Sequence, residues 1–122
     1  MDRGTRGRSR LDAVRRGDLV VVAMPGDYGK PRPALVLQSD LFNETHTSIT
    51  VAPVTSTIVD TPLFRVTVEP SRGNGLRLVS QIMVDKITTV RRQRVGQTIG
   101  RMEDDVMLRL SRALALWLGI AA

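Results

Sequence analysis

At 122 residues, with 42% hydrophobic side chains and a formal net charge of +6, the chain is sized for one globular domain with its own core. It contains no cysteine, which excludes a disulfide frame and a thiolate zinc site. No apolar run approaches the ~18 residues of a membrane span, and the opening MDRGTRGRSR carries positive charge without the apolar stretch of a secretory signal, so a cytoplasmic protein is expected.

The charge is uneven. Residues 1 to 16 hold six arginines against Asp2 and Asp12, whereas the remainder sets twelve basic side chains against ten acidic ones. Residues 1–15 therefore read as a basic, disordered arm, either drawn to polyanions or serving as a solubilising leader, ahead of a folded domain over 16–122. Asp18 to Met24 is a β-branched run fit for a buried strand, and Ala34 to Gln38 is a second. The turn-rich loop between them ends in Pro31-Arg32-Pro33. Proline fixes its own φ and keeps the preceding residue out of the helical region, so Arg32 is held extended with its five-donor guanidinium on an ordered backbone, an arrangement suited to phosphate. Tyr28 is the one good candidate in this loop for stacking on a base, and Lys30 adds charge beside it.

Ser39 to Thr47 reads as a polar loop holding the only histidine, His46, among solvated neighbours. Ser48 to Val54 alternates as a third strand and runs into the hydroxyl cluster Thr55-Ser56-Thr57. Phe64 to Glu69 is a fourth strand. The Asn74-Gly75 pair marks a hairpin turn, from which Leu76 to Met83 returns beside the fourth strand. Ile87 to Val90 and Gln97 to Gly100 are short strands around the basic turn Arg91-Arg92-Gln93-Arg94. The last element is a helix in which Val106, Met107, Leu110, Ala113, Leu114, Trp117 and Leu118 follow i, i+3, i+4 spacing; Glu103 to Asp105 sit at its positive end and Gly119 at its stop. Leu108, Ala115 and Leu116 widen the apolar stripe and imply a partner surface. The expected fold class is α+β, mainly β: a small barrel or half-barrel of antiparallel strands with a C-terminal helix.

Arg32, Thr55 with Ser56, and Ser80 with Gln81 are the polar positions that stand out against apolar strands. An arginine, hydroxyls and an amide form a donor set around an anion, suited to a phosphate whose charge grows in the transition state. No His/Asp/Glu spacing suggests a metal, and no cofactor is expected.

At RRGDLVVVAMPG, KPRPALVLQSD, VAPVTS, SQIMVDKI and the closing ALALWLGI, in that order, the chain resembles the MazF/PemK-like toxins of bacterial toxin–antitoxin systems. The resemblance implies an SH3-like barrel of the CcdB/PemK type acting as a homodimer in the bacterial cytoplasm. It implies a sequence-preferring, metal-independent endoribonuclease on single-stranded RNA (messenger RNA first, transfer or ribosomal RNA besides), silenced by a cognate antitoxin. It places the catalytic arginine at Arg32 and the catalytic threonine at Thr55, the strand-end groove glutamine at Gln81 and a helper residue at Ser39. The chemistry expected is attack of the ribose 2′-OH on the adjacent phosphorus, leaving a 2′,3′-cyclic phosphate and a 5′-OH. Tyr28, Lys30, Ser39, Ser56, Ser80 and Gln81 are the substrate-binding candidates. The first loop is shorter than in many relatives, and Ser80 stands where many carry an acid, which leaves the general base open. Two other readings compete: a CcdB-like gyrase inhibitor, to which Trp117-Leu118-Gly119-Ile120 is loosely similar, and a non-catalytic nucleic-acid-binding barrel, against which the scarcity of aromatics counts.

Overall fold

The β-branched runs at the start of the chain become the centre of a sheet. The structure, a computed structural model, describes residues 13–24 and 30–121. Strands β1 (Asp18–Ala23) and β2 (Pro31–Val36) lead into a four-residue helix α1 (Asp40–Asn43), followed by β3 (Ser48–Thr55), β4 (Arg65–Val68), β5 (Ser80–Met83), β6 (Thr88–Arg91), β7 (Val95–Arg101) and the terminal helix α2 (Asp104–Trp117). Short 3₁₀ turns at Val84–Lys86 and Arg92–Arg94 flank β6. All pairings are antiparallel, and the main path runs β4-β5-β3-β2-β1-β7, with β6 beside β3.

One edge of β3 serves two partners. Its first half pairs with β6, from Ser48 opposite Arg91 to Val51 opposite Thr88, and its end pairs with β5 through Val54 opposite Ile82 and Thr55 opposite Gln81. The 3₁₀ turn after β5 lets the chain change direction along that edge, so the sheet bends. Side chains alternate across the central strands: Leu19, Leu35 and Ala52 face one buried cluster, while Val20, Val22, Ala34 and Val51 face another. Burial on both faces explains why β1 reads as a continuous apolar run. Helix α2 covers the first cluster with Val106 and Leu110, one turn apart, and its far end sets Trp117 against Phe64 with ring centroids 5.5 Å apart. Arg65 and Asp85 close a bidentate, half-buried ion pair between β4 and the turn after β5.

Several expectations are corrected here. Among the described residues the sheet stays open rather than closing into a barrel, because β7 meets a loop where a closing strand would lie. The Gly73 carbonyl accepts the Arg101 N–H at 2.8 Å, and Gly75 and Gly100 let the two backbones touch. The return strand starts at Ser80 and not at Leu76, so an eleven-residue connection, 69–79, replaces the tight Asn-Gly hairpin. Asn74 is fully buried instead of capping an exposed turn; it bonds the Glu69 carbonyl, the Ser71 and Leu76 amides and the Glu103 carboxylate. The polar segment after Gln38 contains α1, and Val14, at the end of the segment read as a disordered arm, is buried in the second cluster.

Candidate functional site

The β2–β3 ladder is short for a reason visible in its residues. Pairing stops at Ala34 opposite Pro53, and neither Pro33 nor Pro53 has an N–H to donate. Past that point β2 and β3 are released from each other, and the end of β3 is held by β5 on its other side. A groove of about 850 Å³ opens at the release, lined by Lys30–Pro33 from the start of β2, Val54–Thr57 from the end of β3, Gly75–Leu78 and Ser80 from the 69–79 connection and β5, and Ile99 from β7.

The groove unites four of the sequence-predicted residues with Arg32. Continuing the β2–β3 register two residues beyond Ala34 sets Arg32 across from Thr55. Both line the groove, together with Lys30, Ser56 and Ser80. The Thr55 Oγ1 accepts the Thr57 N–H at 3.1 Å, which fixes the hydroxyl and turns its proton to other acceptors. Ser80 is buried and donates its hydroxyl to the Leu78 carbonyl at 2.9 Å, so it shapes the wall more than it offers a donor. Three cations line the groove, Lys30, Arg32 and Arg77, and no carboxylate or histidine does so among the described residues. Such a lining attracts and holds a polyanion.

Two predicted residues fall elsewhere. Gln81 is only 3% exposed, and its amide is consumed internally: Nε2 donates to the Val59 carbonyl at 2.9 Å and to Thr67 Oγ1 at 3.1 Å, while Oε1 accepts the Val59 N–H at 3.1 Å. It ties the segment after Thr57 to β4 and β5 and does not line the groove. Ser39 lies beyond the end of β2 opposite to Arg32, where its hydroxyl accepts the Leu41 N–H and caps α1. Tyr28 lies outside the described residues. His46 lies in a separate pocket with Arg91 and Arg92, at the far end of β3 from Thr55.

The family model described as PemK-like, MazF-like toxin of type II toxin–antitoxin system matches residues 15–118. The chain belongs to the MazF/PemK family. It is similar to the probable endoribonuclease MazF of Mycolicibacterium smegmatis, with 46% identity over 109 residues that span 88% of this chain and 99% of that protein. Among solved structures, a MazE–MazF complex from Deinococcus radiodurans is 28% identical with a TM-score of 0.70, covering 88% of this chain and 97% of that one. A mycobacterial endoribonuclease in complex with its cognate antitoxin shares the fold at a TM-score of 0.77 and 22% identity, covering 90% and 99%.

Within this MazF/PemK chain, the basic turn 91–94 separates into parts. Arg92 donates to the carbonyls of Asn43 and His46, fastening the residues after α1, whereas Arg91 and Arg94 remain exposed. No group of three or more His, Cys, Asp or Glu residues able to hold a metal ion occurs among the described residues, and none of their helices is long and apolar enough to cross a membrane. Arg77 is the groove residue that sequence reasoning missed. It follows an Asn-Gly pair inside a segment read as strand, and only the packing of the 69–79 connection on β7 brings it to the groove.

Proposed function

We propose that this chain is the toxin of a toxin–antitoxin pair, an endoribonuclease that cuts single-stranded RNA with sequence preference. The observation that carries the reading is the meeting of Arg32 and Thr55 in one groove, with no carboxylate among its described lining residues, in a MazF/PemK-family fold. The ribose 2′-OH attacks the adjacent phosphorus, the bond from phosphorus to O5′ breaks, and a 2′,3′-cyclic phosphate and a 5′-OH remain; the 2′ proton passes to a base and O5′ takes up a proton as it leaves. Arg32 stabilises the dianionic phosphorane with its permanent charge and planar fork of donors. Thr55, its oxygen already accepting from Thr57, donates to a nonbridging oxygen. The described lining supplies anion stabilisation and not proton abstraction, since it holds neither carboxylate nor histidine. Arginine and hydroxyl donors suit a reaction that proceeds without a metal ion.

The family match favours this reading over the gyrase poison and the non-catalytic barrel. A cognate antitoxin is the protein partner, supported by the antitoxin complexes among the structural relatives, and an acidic segment of it would compete with RNA for the same cations. Homodimerisation is supported by Leu108 and Leu116, which α2 leaves exposed.

The test is cleavage of a long single-stranded RNA in excess EDTA by wild type and Arg32→Ala, with both ends of each fragment mapped. Discrete fragments with 5′-OH and cyclic-phosphate ends are expected from wild type. A rate lower by roughly a hundredfold or more is expected from the folded variant. Intact RNA with folded wild type refutes the nuclease reading, and cleavage of a strand carrying 2′-deoxyribose at the cut refutes the chemistry.

A further inference from the structure

Arg77 is exposed, lines the groove, and is engaged by no hydrogen bond or ion pair among the described residues. The backbone on either side of it is anchored. Two residues before it, Gly75 has φ +73°, and a Cβ there would lie 2.2 Å from the Ile99 carbonyl oxygen, so only glycine allows this approach to β7. One residue earlier, buried Asn74 is bonded to Glu69, Ser71, Leu76 and Glu103. Three residues after it, Ser80 enters β5 with its hydroxyl bound to the Leu78 carbonyl. A cation with no partner among the described residues, mounted between two anchored points and facing a groove whose described lining holds no carboxylate, is set up to receive an anion from outside.

We propose that Arg77 is a substrate-binding residue that takes a backbone phosphate of the RNA other than the one being cut, and so sets how the strand lies between the 75–78 wall and Arg32. The inference rests on the endoribonuclease reading of the same groove. Arg32 and Arg77 reach the groove from different segments, β2 and the 69–79 connection, and under the proposal they take successive phosphates along one strand. Arg77 therefore contributes to binding in ground and transition state alike, which raises KM on its removal and leaves kcat nearly unchanged.

The experiment compares wild type, Arg77→Ala and Arg77→Lys in two assays across a salt series. One is steady-state cleavage of a short single-stranded RNA; the other is equilibrium binding of the same strand with 2′-deoxyribose at the cut, which reports affinity without turnover. In Arg77→Ala, KM and the analogue Kd are expected to rise about five- to twentyfold, with kcat within twofold of wild type. The slope of log Kd against log salt is expected to become shallower by about 0.7, one phosphate contact on a single strand. Arg77→Lys keeps the charge and restores the slope. An Arg77→Ala protein that cleaves with wild-type KM and salt slope overturns the proposal, as does one that loses kcat with KM unchanged. If wild type cleaves nothing yet binds the analogue through Arg77, the anion site stands and the nuclease reading falls.

Discussion

Replacing Gly100 with alanine tests how the groove wall is held. Gly100 lies in β7 opposite Leu19, and an added Cβ would sit 2.4 Å from the carbonyl carbon and oxygen of Asn74 and 2.6 Å from the Gly73 oxygen. These are all backbone atoms, so no side chain can swing aside and residues 73–75 must lift from β7. Lifting breaks the 2.8 Å bond from the Arg101 N–H to Gly73, worth about 1 kcal/mol net. Crowding in a packed site costs a further 1–3 kcal/mol or so. The expected loss is about 2–4 kcal/mol, which at a urea slope of about 2 kcal/mol/M moves the midpoint down by about 1–2 M. Circular dichroism during urea titration, at one fixed protein concentration so that self-association does not move the midpoint, measures it. Cleavage by the folded fraction should fall as well, since the displaced segment carries the Arg77–Leu78 wall. An unchanged midpoint with full cleavage would show that the 73–75 contact with β7 does not support the wall.

Three further outcomes follow from the same geometry. The hydrogen bond from Arg65 holds the Asp85 carboxyl below the usual carboxylate range, and that from Ser71 does the same for Glu103. Because the folded pKa values are depressed, the stabilisation is complete above the unfolded values near 4 and is lost as pH falls through the folded ones; urea midpoints should drop on acidification below about pH 4, and Asp85→Asn should flatten that drop. Gln81→Leu removes both bonds to Val59, so protease should cut residues 56–62 faster and kcat/KM should fall about tenfold through Ser56 and Thr57, while unchanged proteolysis would place the tether elsewhere. Ser39→Ala removes the cap of α1 and should cost about 0.5–2 kcal/mol in thermal unfolding, with cleavage within twofold of wild type; lost cleavage in a stable protein would return Ser39 to the groove.

Some of this was legible along the chain and some was not. The alternating and β-branched runs carry the strands, since a strand buried on both faces must be apolar throughout, and the i, i+4 spacing of Val106 and Leu110 carries α2. The Pro31-Arg32-Pro33 triplet marks the groove because prolines act locally, fixing φ and removing donors. An amide in a strand reads the same whether it faces RNA or Val59, so the bonds of Gln81 to Val59 are visible only in the fold. Helix α1 has too few residues to show a period, and the bond network of Asn74 reaches Glu103, 29 residues away, where no local turn rule can see it.

By itself, then, the sequence determined which segments form strands, where the terminal helix runs, and that Arg32 is held extended, because propensity, alternation and proline geometry all act within a few residues. Only the tertiary structure decided that the sheet stays open, that Gln81 and Ser39 serve the scaffold, and that Arg77 joins the groove. Each of those depends on contact between distant backbones, as where Gly100 and Gly75 let β7 and the 69–79 connection meet, and a close approach of that kind is a property of the packed chain.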